Sequence, residues 1–190
     1  EYLLAHQLPV PEGICGNLFY QSTMRHLRRA FDELGLPFDG EAIWHEVSGR
    51  MRRHYLEDIE PKPFVAEYLD ALRDAGVRMC VATASPKDLA CAALARHGLH
   101  GYFEFITDES GIGLSKRDEE FFPRVADRLG VPMGDCMMFE DALYSIKTAK
   151  GAGIRVCAIE EESMRDDRAE LMGLADRYVT GYAELLADGK

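Results

Sequence analysis

Thr83, Ala84 and Ser85 follow a short apolar run and lie directly before a segment of helical character. Ser85 suits the N-cap of that helix, Pro86 its first position and Asp88 its third position. Backbone N–H groups at the start of a helix lack partners within the helix and bind anions. The segment therefore predicts an anion site, although Ser85 and Asp88 would also suit simple helix capping.

One lysine and two adjacent acids occupy equivalent places further along the chain. Lys116 ends the loop Gly111-Ile112-Gly113-Leu114-Ser115, and Glu140-Asp141 follows the apolar run that ends at Phe139. Adjacent carboxylates at the end of a buried strand are unfavourable unless a cation offsets their charge. Mg²⁺ suits such a pair because it binds one or two carboxylates together with water and phosphate oxygens. We therefore predict a magnesium site at Glu140 and Asp141; Lys116 could also be a solvated charge, and Asp141 a helix cap.

These residues are positioned by short apolar strands that alternate with helices. The predicted strands are Val77–Ala82, Phe105–Thr107, Cys136–Phe139 and Ile154–Ile159, and the predicted helices between them are Pro86–His97, Phe121–Leu129 and Ala142–Ala152. This alternation predicts an α/β fold with a doubly wound parallel sheet covered on both faces. Ligands bind beyond the carboxyl ends of the strands in such sheets, so we expect the polar residues to meet there.

The first 60 residues have a different pattern. Apolar residues recur at helical spacing from Met24 to Leu34 and again from Ile43 to Tyr55, which predicts two helices. Pro61 and Pro63 interrupt the pattern, because prolines two residues apart cannot lie inside a helix. We expect a helical domain over residues 1–60 and an α/β domain over residues 61–190.

Composition excludes some partners. The chain has 22 Lys and Arg against 33 Asp and Glu, a net charge of -11, which argues against a nucleic acid or an anionic membrane as the main partner. No apolar run approaches the ~20 residues of a membrane span, and the first residues do not resemble a secretory signal. We expect a cytoplasmic protein. Its 5 cysteines form no metal-ligand pattern, and we assign them no chemistry.

The order Thr83, Lys116, Glu140-Asp141 resembles the second, third and fourth motifs of the haloacid dehalogenase superfamily, in the subfamily that contains β-phosphoglucomutase and phosphoglycolate phosphatase. The resemblance covers about residues 60 to 160, and the helical part before them resembles the family's cap domain. It implies that Thr83, Ala84 and Ser85 bind a transferring phosphoryl group. Lys116 would stabilise that group's charge, and Glu140 and Asp141 would hold Mg²⁺.

The chain departs from the family at two places. The family commonly has Pro and then Asp after the lysine, where this chain has Arg117-Asp118-Glu119-Glu120. Its first motif, a strand ending in D-x-D-G with the nucleophilic Asp, is absent; Phe38-Asp39-Gly40 lacks both the first Asp and the preceding strand. Because the chain begins at Glu1, directly in the cap-like part, we expect a truncated sequence that lacks a strand and turn of ~15 to 25 residues.

Several functions share this scaffold. We expect a Mg²⁺-dependent phosphate monoester hydrolase that acts on a small phosphorylated metabolite through an aspartyl phosphate. The alternatives are a phosphomutase and a non-catalytic module that binds phosphate and metal. The acidic pair argues against dehalogenation, and the absence of lysine from residues 1–60 argues against imine-based phosphonate cleavage. The sequence does not predict the substrate or the oligomeric state.

The segment Gln21-Ser22-Thr23-Met24-Arg25 opens the first strong helical pattern of the cap-like part. Arginine can form two parallel hydrogen bonds with a carboxylate or a phosphate. We therefore expect this segment to be a specificity loop in which Arg25 binds the substrate; a solvated arginine at a helix start is the alternative.

Overall fold

The chain divides into two compact units. The computed structural model describes residues 2–10 and 20–188. One unit extends to Asp58 and the other begins at Ile59. No helix among the described residues has both the length and the apolar character needed to cross a membrane.

The first unit is helical in its described part. It contains α1 (Tyr2–Ala5), α2 (Tyr20–Glu33), α3 (Gly40–Arg53) and a π-helical turn (His54–Asp58). Leu3, Leu27, Phe31 and Ile43 form its buried core. The apolar spacing seen in the sequence thus corresponds to the faces by which α2 and α3 pack.

Two sequence features of the first unit have local explanations. Asp39 is the N-cap of α3, and its side chain accepts a hydrogen bond from the Ala42 N–H at 3.0 Å, so Phe38-Asp39-Gly40 serves helix capping. The expectation that 21–25 form a loop is wrong, because these residues lie in the first two turns of α2. No proline or glycine interrupts that stretch, so the helix extends back to Tyr20.

The second unit is α/β. Its helices and strands in chain order are α4 (Val65–Asp74), β1 (Cys80–Thr83), α5 (Lys87–Arg96), β2 (Phe105–Asp108), α6 (Glu109–Ile112), α7 (Phe121–Leu129), β3 (Met137–Glu140), α8 (Leu143–Gly151), β4 (Arg155–Ile159), α9 (Arg168–Leu174), β5 (Arg177–Val179) and α10 (Tyr182–Asp188). All the pairings between these strands are parallel. The predicted α/β class is confirmed.

The strands form two sheets. β1 pairs with β2, and β3, β4 and β5 pair in that order. Within the described residues, no hydrogen-bonded ladder joins β1 to β3. Side chains of both strands nevertheless contact one core cluster, including Cys80 and Ala82 from β1 and Met138 from β3.

The core covers both faces of the three-stranded sheet. On one face the buried cluster includes Phe121, Ile146, Val156 and Leu171. On the other face Cys157, Ile159, Val179 and Leu185 are buried, with Tyr68 and Phe139 packed against them. A parallel sheet requires this double cover because its strands are apolar on both sides.

Strand boundaries differ from the predicted ones at the first strand. β1 begins at Cys80 rather than at Val77, because Val77 is exposed and directly follows the positive-φ Gly76 that ends the preceding helix. The other predicted strands of the second unit and the three helices predicted between them agree with the structure within one residue at each end. β5, α6, α9 and α10 were not predicted.

Candidate functional site

Lys116 and Glu140 form a buried ion pair between two different parts of the second unit. The Lys116 Nζ donates to Glu140 Oε2 at 2.7 Å, and the side chains are only 6% and 12% exposed. Lys116 lies beyond the end of β2, and Glu140 is the last residue of β3. Lys116 and Glu140 therefore meet beyond the carboxyl ends of the strands, as the sequence predicted. The alternative of a solvated lysine is wrong.

Glu109 fixes the backbone that presents Lys116. Its Oε1 accepts hydrogen bonds from the Ser115 hydroxyl at 3.0 Å and from the Lys116 N–H at 2.7 Å. Asp118 accepts the Ser115 N–H at 2.7 Å on the other side of the loop. These bonds anchor residues 113–120, the lysine loop between α6 and α7, and the Lys116 side chain is directed inward to Glu140.

Glu109 was not predicted as a residue of the site. The available signal was Thr107-Asp108-Glu109-Ser110-Gly111, a strand end followed at once by acids and glycine, which is typical of a helix start. Nothing in the sequence indicates that the Glu109 carboxylate turns toward a residue seven positions later.

Glu140 and Asp141 place two carboxylates next to each other at the end of β3. Glu140 is engaged through both oxygens, since Oε2 accepts from Lys116 and Oε1 accepts the Ala142 N–H at 3.2 Å. Burial, followed by the charge of Glu140, raises the pKa of the Asp141 carboxyl. A carboxylate in this setting gains most from a nearby cation.

The two acids fit a Mg²⁺ site of the open kind. Mg²⁺ is commonly held by one or two carboxylates, with water and substrate phosphate completing its coordination. Among the described residues, no cluster of three or more His, Cys, Asp and Glu side chains could hold a metal by itself. The donor set thus suits a hard ion shared with substrate and does not suit a closed structural metal site.

Thr83 lies at the end of β1, in register with Asp108 of β2. Its Oγ1 accepts a hydrogen bond from the Ser85 N–H at 3.0 Å, which tightens the turn that contains Ala84. Because the hydroxyl oxygen accepts that bond, its hydrogen can be directed to a further acceptor. Thr83 and Ser85 are half-buried and Ala84 is exposed, as a strand-end loop that receives a ligand requires.

The start of α5 differs by one residue from the prediction that Ser85 is its N-cap. The N-cap is Pro86, in an extended conformation, and the helix begins at Lys87. The capping acceptor comes from a neighbouring strand: Asp108 Oδ2 accepts the Lys87 N–H at 2.9 Å. The Ser85 N–H donates to Thr83, and the Lys87 N–H at this helix start already has a carboxylate acceptor.

Asp108 also caps the short helix that follows β2. Its Oδ1 accepts the Gly111 N–H at 2.8 Å and the Ser110 hydroxyl at 2.9 Å. Although burial acts in the opposite direction, these hydrogen bonds together with that from Lys87 lower the pKa of Asp108. Asp108 thus stays ionised and joins the strand ends of β1 and β2.

Arg25 belongs to the first unit. It lies on α2 and is exposed. Its role in substrate binding remains a prediction of the sequence.

The second unit therefore combines a half-buried hydroxyl, a buried lysine and two adjacent acids at the carboxyl ends of parallel strands. The family of haloacid dehalogenase-like hydrolases matches residues 7–153. The chain belongs to this family. The match extends across the helical unit and the strand ends from Thr83 to Asp141.

Relatives and solved structures agree with this membership. The chain is 32% identical to fructose-1-phosphate phosphatase YqaB of Escherichia coli over 61% of each chain. It is 32% identical to a phosphoglycolate phosphatase of Cupriavidus necator over 51% of this chain and 42% of that protein. A hydrolase of the same family from Entamoeba histolytica superposes with a TM-score of 0.73 at 17% identity, over 96% of this chain and 83% of the other.

The matches with curated relatives are partial. The chain spans about half of their length, with 61% for the Escherichia coli protein and 48% for a CbbY protein of Rhodobacter capsulatus. Membership of the haloacid dehalogenase-like family and its fold are therefore established for this chain, whereas the activity of a whole protein is the subject of the proposal below.

Proposed function

We propose that this chain forms most of a Mg²⁺-dependent phosphate monoester hydrolase that acts on a small phosphorylated metabolite. The observation that carries the proposal is the buried Lys116–Glu140 pair beside Asp141. A lysine that is 5% exposed at the end of a parallel sheet supplies a fixed positive charge where a phosphoryl group would lie. The named relatives, which are phosphatases of a sugar phosphate and of phosphoglycolate, support the same substrate class.

The chain's own residues would act on the phosphoryl group from two sides. Thr83 would donate its hydroxyl hydrogen to a phosphoryl oxygen from the end of β1. Lys116 would stabilise the negative charge that develops during transfer, and the hydrogen bonds from Glu109 keep its backbone in place. Asp141, supported by Glu140, would hold Mg²⁺, which when bound neutralises phosphate charge and helps to orient it.

The nucleophile would be an aspartate on a further strand, placed between β1 and β3. In the described part of the chain, β1 and β3 contact the same core cluster but are not joined by a hydrogen-bonded ladder. A further parallel strand between them could form hydrogen bonds with the backbone N–H and C=O groups on their facing edges. One oxygen of that aspartate would attack phosphorus while the bond to the leaving alcohol breaks. The departing oxygen takes a proton from a second acid of the same motif, and water then hydrolyses the aspartyl phosphate.

The test is turnover by the product of the complete open reading frame. We expect Mg²⁺-dependent release of inorganic phosphate from sugar phosphates or phosphoglycolate. A labelled, base-labile phosphoprotein trapped by acid quenching would identify the aspartyl phosphate. Phosphate release without this species would contradict the covalent mechanism.

The two alternatives give different results in the same assay. A phosphomutase would transfer phosphate within a sugar phosphate and release little of it to water. A non-catalytic module would bind phosphate and Mg²⁺ without turning over any ester. A cytoplasmic location stays a prediction of the sequence.

A further inference from the structure

Arg117 and Tyr144 form a stacked pair at the margin of the candidate site. The Arg117 guanidinium carbon lies 4.2 Å from the centroid of the Tyr144 ring. Arg117 directly follows Lys116, and Tyr144 lies in the first turn of α8, three residues after Asp141. The pair therefore connects the lysine loop to the helix that follows the acidic pair.

The lysine loop directs neighbouring side chains in different directions. Lys116 is buried toward Glu140, whereas Arg117 is exposed. The Arg117 N–H donates to the Ser115 hydroxyl at 3.3 Å, and the Ser115 N–H donates to Asp118 at 2.7 Å. The backbone of this loop is thus anchored, and the Tyr144 ring contacts the guanidinium on one side.

The Tyr144 ring lies close to the acids of the site. It is half-buried, and burial followed by the charges of Glu140 and Glu109 raises the pKa of its hydroxyl. Arg117, which lies over this ring and directly follows Lys116 in the chain, therefore places a second positive charge at the margin of the site. Lys116 is already paired with Glu140, so its charge is partly offset.

The stacked geometry suits recognition of an anion. A guanidinium that lies over an aromatic ring contacts the ring through the flat face of the guanidinium. Its N–H donors lie in the guanidinium plane and point outward, away from the ring centre. Two parallel N–H donors match the two oxygens of a carboxylate or a phosphate. A ring beneath the guanidinium also reduces the conformational freedom that arginine would lose on binding.

We propose that Arg117, held by Tyr144, is a specificity-determining residue that binds a second anionic group of the substrate. The substrate class is then a small phosphate monoester that also carries a carboxylate or another phosphate. This inference rests on the proposed function, because the first anionic group is the phosphoryl group at Thr83 and Lys116.

The test compares matched ligands by isothermal titration in Mg²⁺ with the product of the complete open reading frame in which the first-motif Asp is replaced by Asn, so that no ester is hydrolysed during the titration; this form serves as the wild type of the comparison. 2-Phosphoglycolate is compared with ethyl phosphate for the carboxylate, and 1,3-propanediol bisphosphate with propyl phosphate for a second phosphate. We expect at least one doubly anionic ligand to bind about tenfold more tightly than its singly anionic match. Whichever comparison shows the preference identifies the second group.

Four variants test whether the preference for a second anionic group depends on Arg117 and Tyr144, and a fifth is the control. Arg117→Ala should abolish it while affecting the singly anionic ligand much less, and Arg117→Lys should retain part of it. Tyr144→Phe should keep it, because the ring remains, and Tyr144→Ala should weaken it. Arg124→Ala removes an exposed arginine from α7 and should leave the preference intact.

Other outcomes overturn the inference. If wild type binds both members of each pair equally, Arg117 recognises no second anion. If Arg117→Ala weakens both members alike, its role is general, and thermal unfolding of the variant shows whether that role is structural. If neither inorganic phosphate nor any ester binds, the proposed function is contradicted as well. If ethyl phosphate binds tightly and no preference is seen, only the inference about Arg117 is contradicted.

Discussion

At the scale of single residues, Lys116 combines a side chain that is only 6% exposed with an ion pair to Glu140. Its Nζ lies 2.7 Å from Glu140, and the backbone on either side is fixed by Glu109 and Asp118. We predict that Lys116→Ala lowers kcat/KM of the complete enzyme by a factor on the order of 10² to 10³, as loss of a preorganised charge does. Steady-state kinetics on the preferred phosphate ester measures this effect.

Two controls separate chemistry from folding. Lys116→Arg retains the charge and should recover part of the activity, and thermal unfolding shows whether each variant is folded. Near-normal turnover by folded Lys116→Ala would contradict the assignment of Lys116.

Asp141 and Glu140 should differ in their importance for Mg²⁺. Both Glu140 oxygens accept hydrogen bonds, one from Lys116 and one from the Ala142 N–H. The pKa of Asp141, by contrast, is raised by burial and by the charge of Glu140, so its carboxylate gains from a cation. We predict that Asp141→Ala weakens Mg²⁺ binding more than Glu140→Ala does. Isothermal titration of the two variants with Mg²⁺ measures the order, and equal or reversed losses would contradict it.

Residue positions at strand ends were predictable because parallel strands bring their carboxyl ends to one edge. That rule placed Thr83, Lys116 and the acidic pair at the same end of the fold. It could not predict partners, because a pairing such as Lys116 with Glu140 depends on side-chain directions that only packing determines. Glu109 and Tyr144 were missed for the same reason.

At the scale of elements, Asp108 joins α5, β2 and α6 by accepting three hydrogen bonds. We predict that Asp108→Ala lowers the free energy of unfolding at neutral pH by about 1 to 2 kcal/mol, as removal of a helix cap does. Chemical denaturation of variant and wild type measures the difference. Asp127→Ala, which removes an exposed acid from α7, should change stability far less.

The contribution of Asp108 should also depend on pH. Its pKa is lowered in the folded state, so the folded protein binds fewer protons than the unfolded chain below the ordinary aspartate value of 3.8. The stabilisation is therefore fully present above that value and is lost as pH falls through the lowered pKa. A difference between wild type and Asp108→Ala that grows on acidification would contradict this sign.

Arg25 on α2 gives a prediction for the helical unit. We expect Arg25→Ala to raise KM selectively for one phosphorylated substrate and to leave other substrates unchanged, because a fork of donors recognises one kind of anion. Arg29→Ala on the same helix, which removes an exposed arginine paired with Glu33, is the matched control. An unchanged substrate profile would contradict the role of Arg25. If Arg25→Ala, rather than Arg117→Ala, abolishes the preference for a second anion, the inference about Arg117 is wrong.

Most elements of the second unit follow from the alternation of apolar runs with helical spacing. The exceptions have physical reasons. β5 has only three residues, and α9 follows a segment rich in charge, so neither gives a strong periodic signal. The cap of α5 was assigned to Ser85 because local spacing cannot indicate an acceptor 21 positions away.

At the scale of the whole molecule, β1 and β3 contact one core cluster, and no hydrogen-bonded ladder joins them in the part of the chain that the structure describes. We predict that residues 1–190 alone hydrolyse no phosphate ester, whereas the same residues preceded by an apolar strand ending in D-x-D-G do so with Mg²⁺. Among the described carboxylates, Glu109 and Glu140 are held by Lys116 and its loop, and Asp141 is assigned to the metal. Phosphate release measures the difference.

The same comparison has a structural readout. A strand that pairs with β1 and β3 buries backbone groups and should raise the midpoint of thermal unfolding. Turnover by residues 1–190, abolished by Asp141→Ala, would mean that another residue is the nucleophile. A replacement of the first motif Asp by Asn in the added strand is the matched inactive control.

The burial of Lys116 has a practical consequence for chemical modification. Lys62 and Lys87 are exposed, and Lys147 is about half exposed, whereas Lys116 is 5% exposed. Amine acylation requires a neutral, accessible amine, so reagents of this kind should modify the surface lysines and spare Lys116. The protein can therefore be coupled to a resin or a fluorophore through its amines with the charge of the site intact, and acylation of Lys116 would report that this part of the fold has opened.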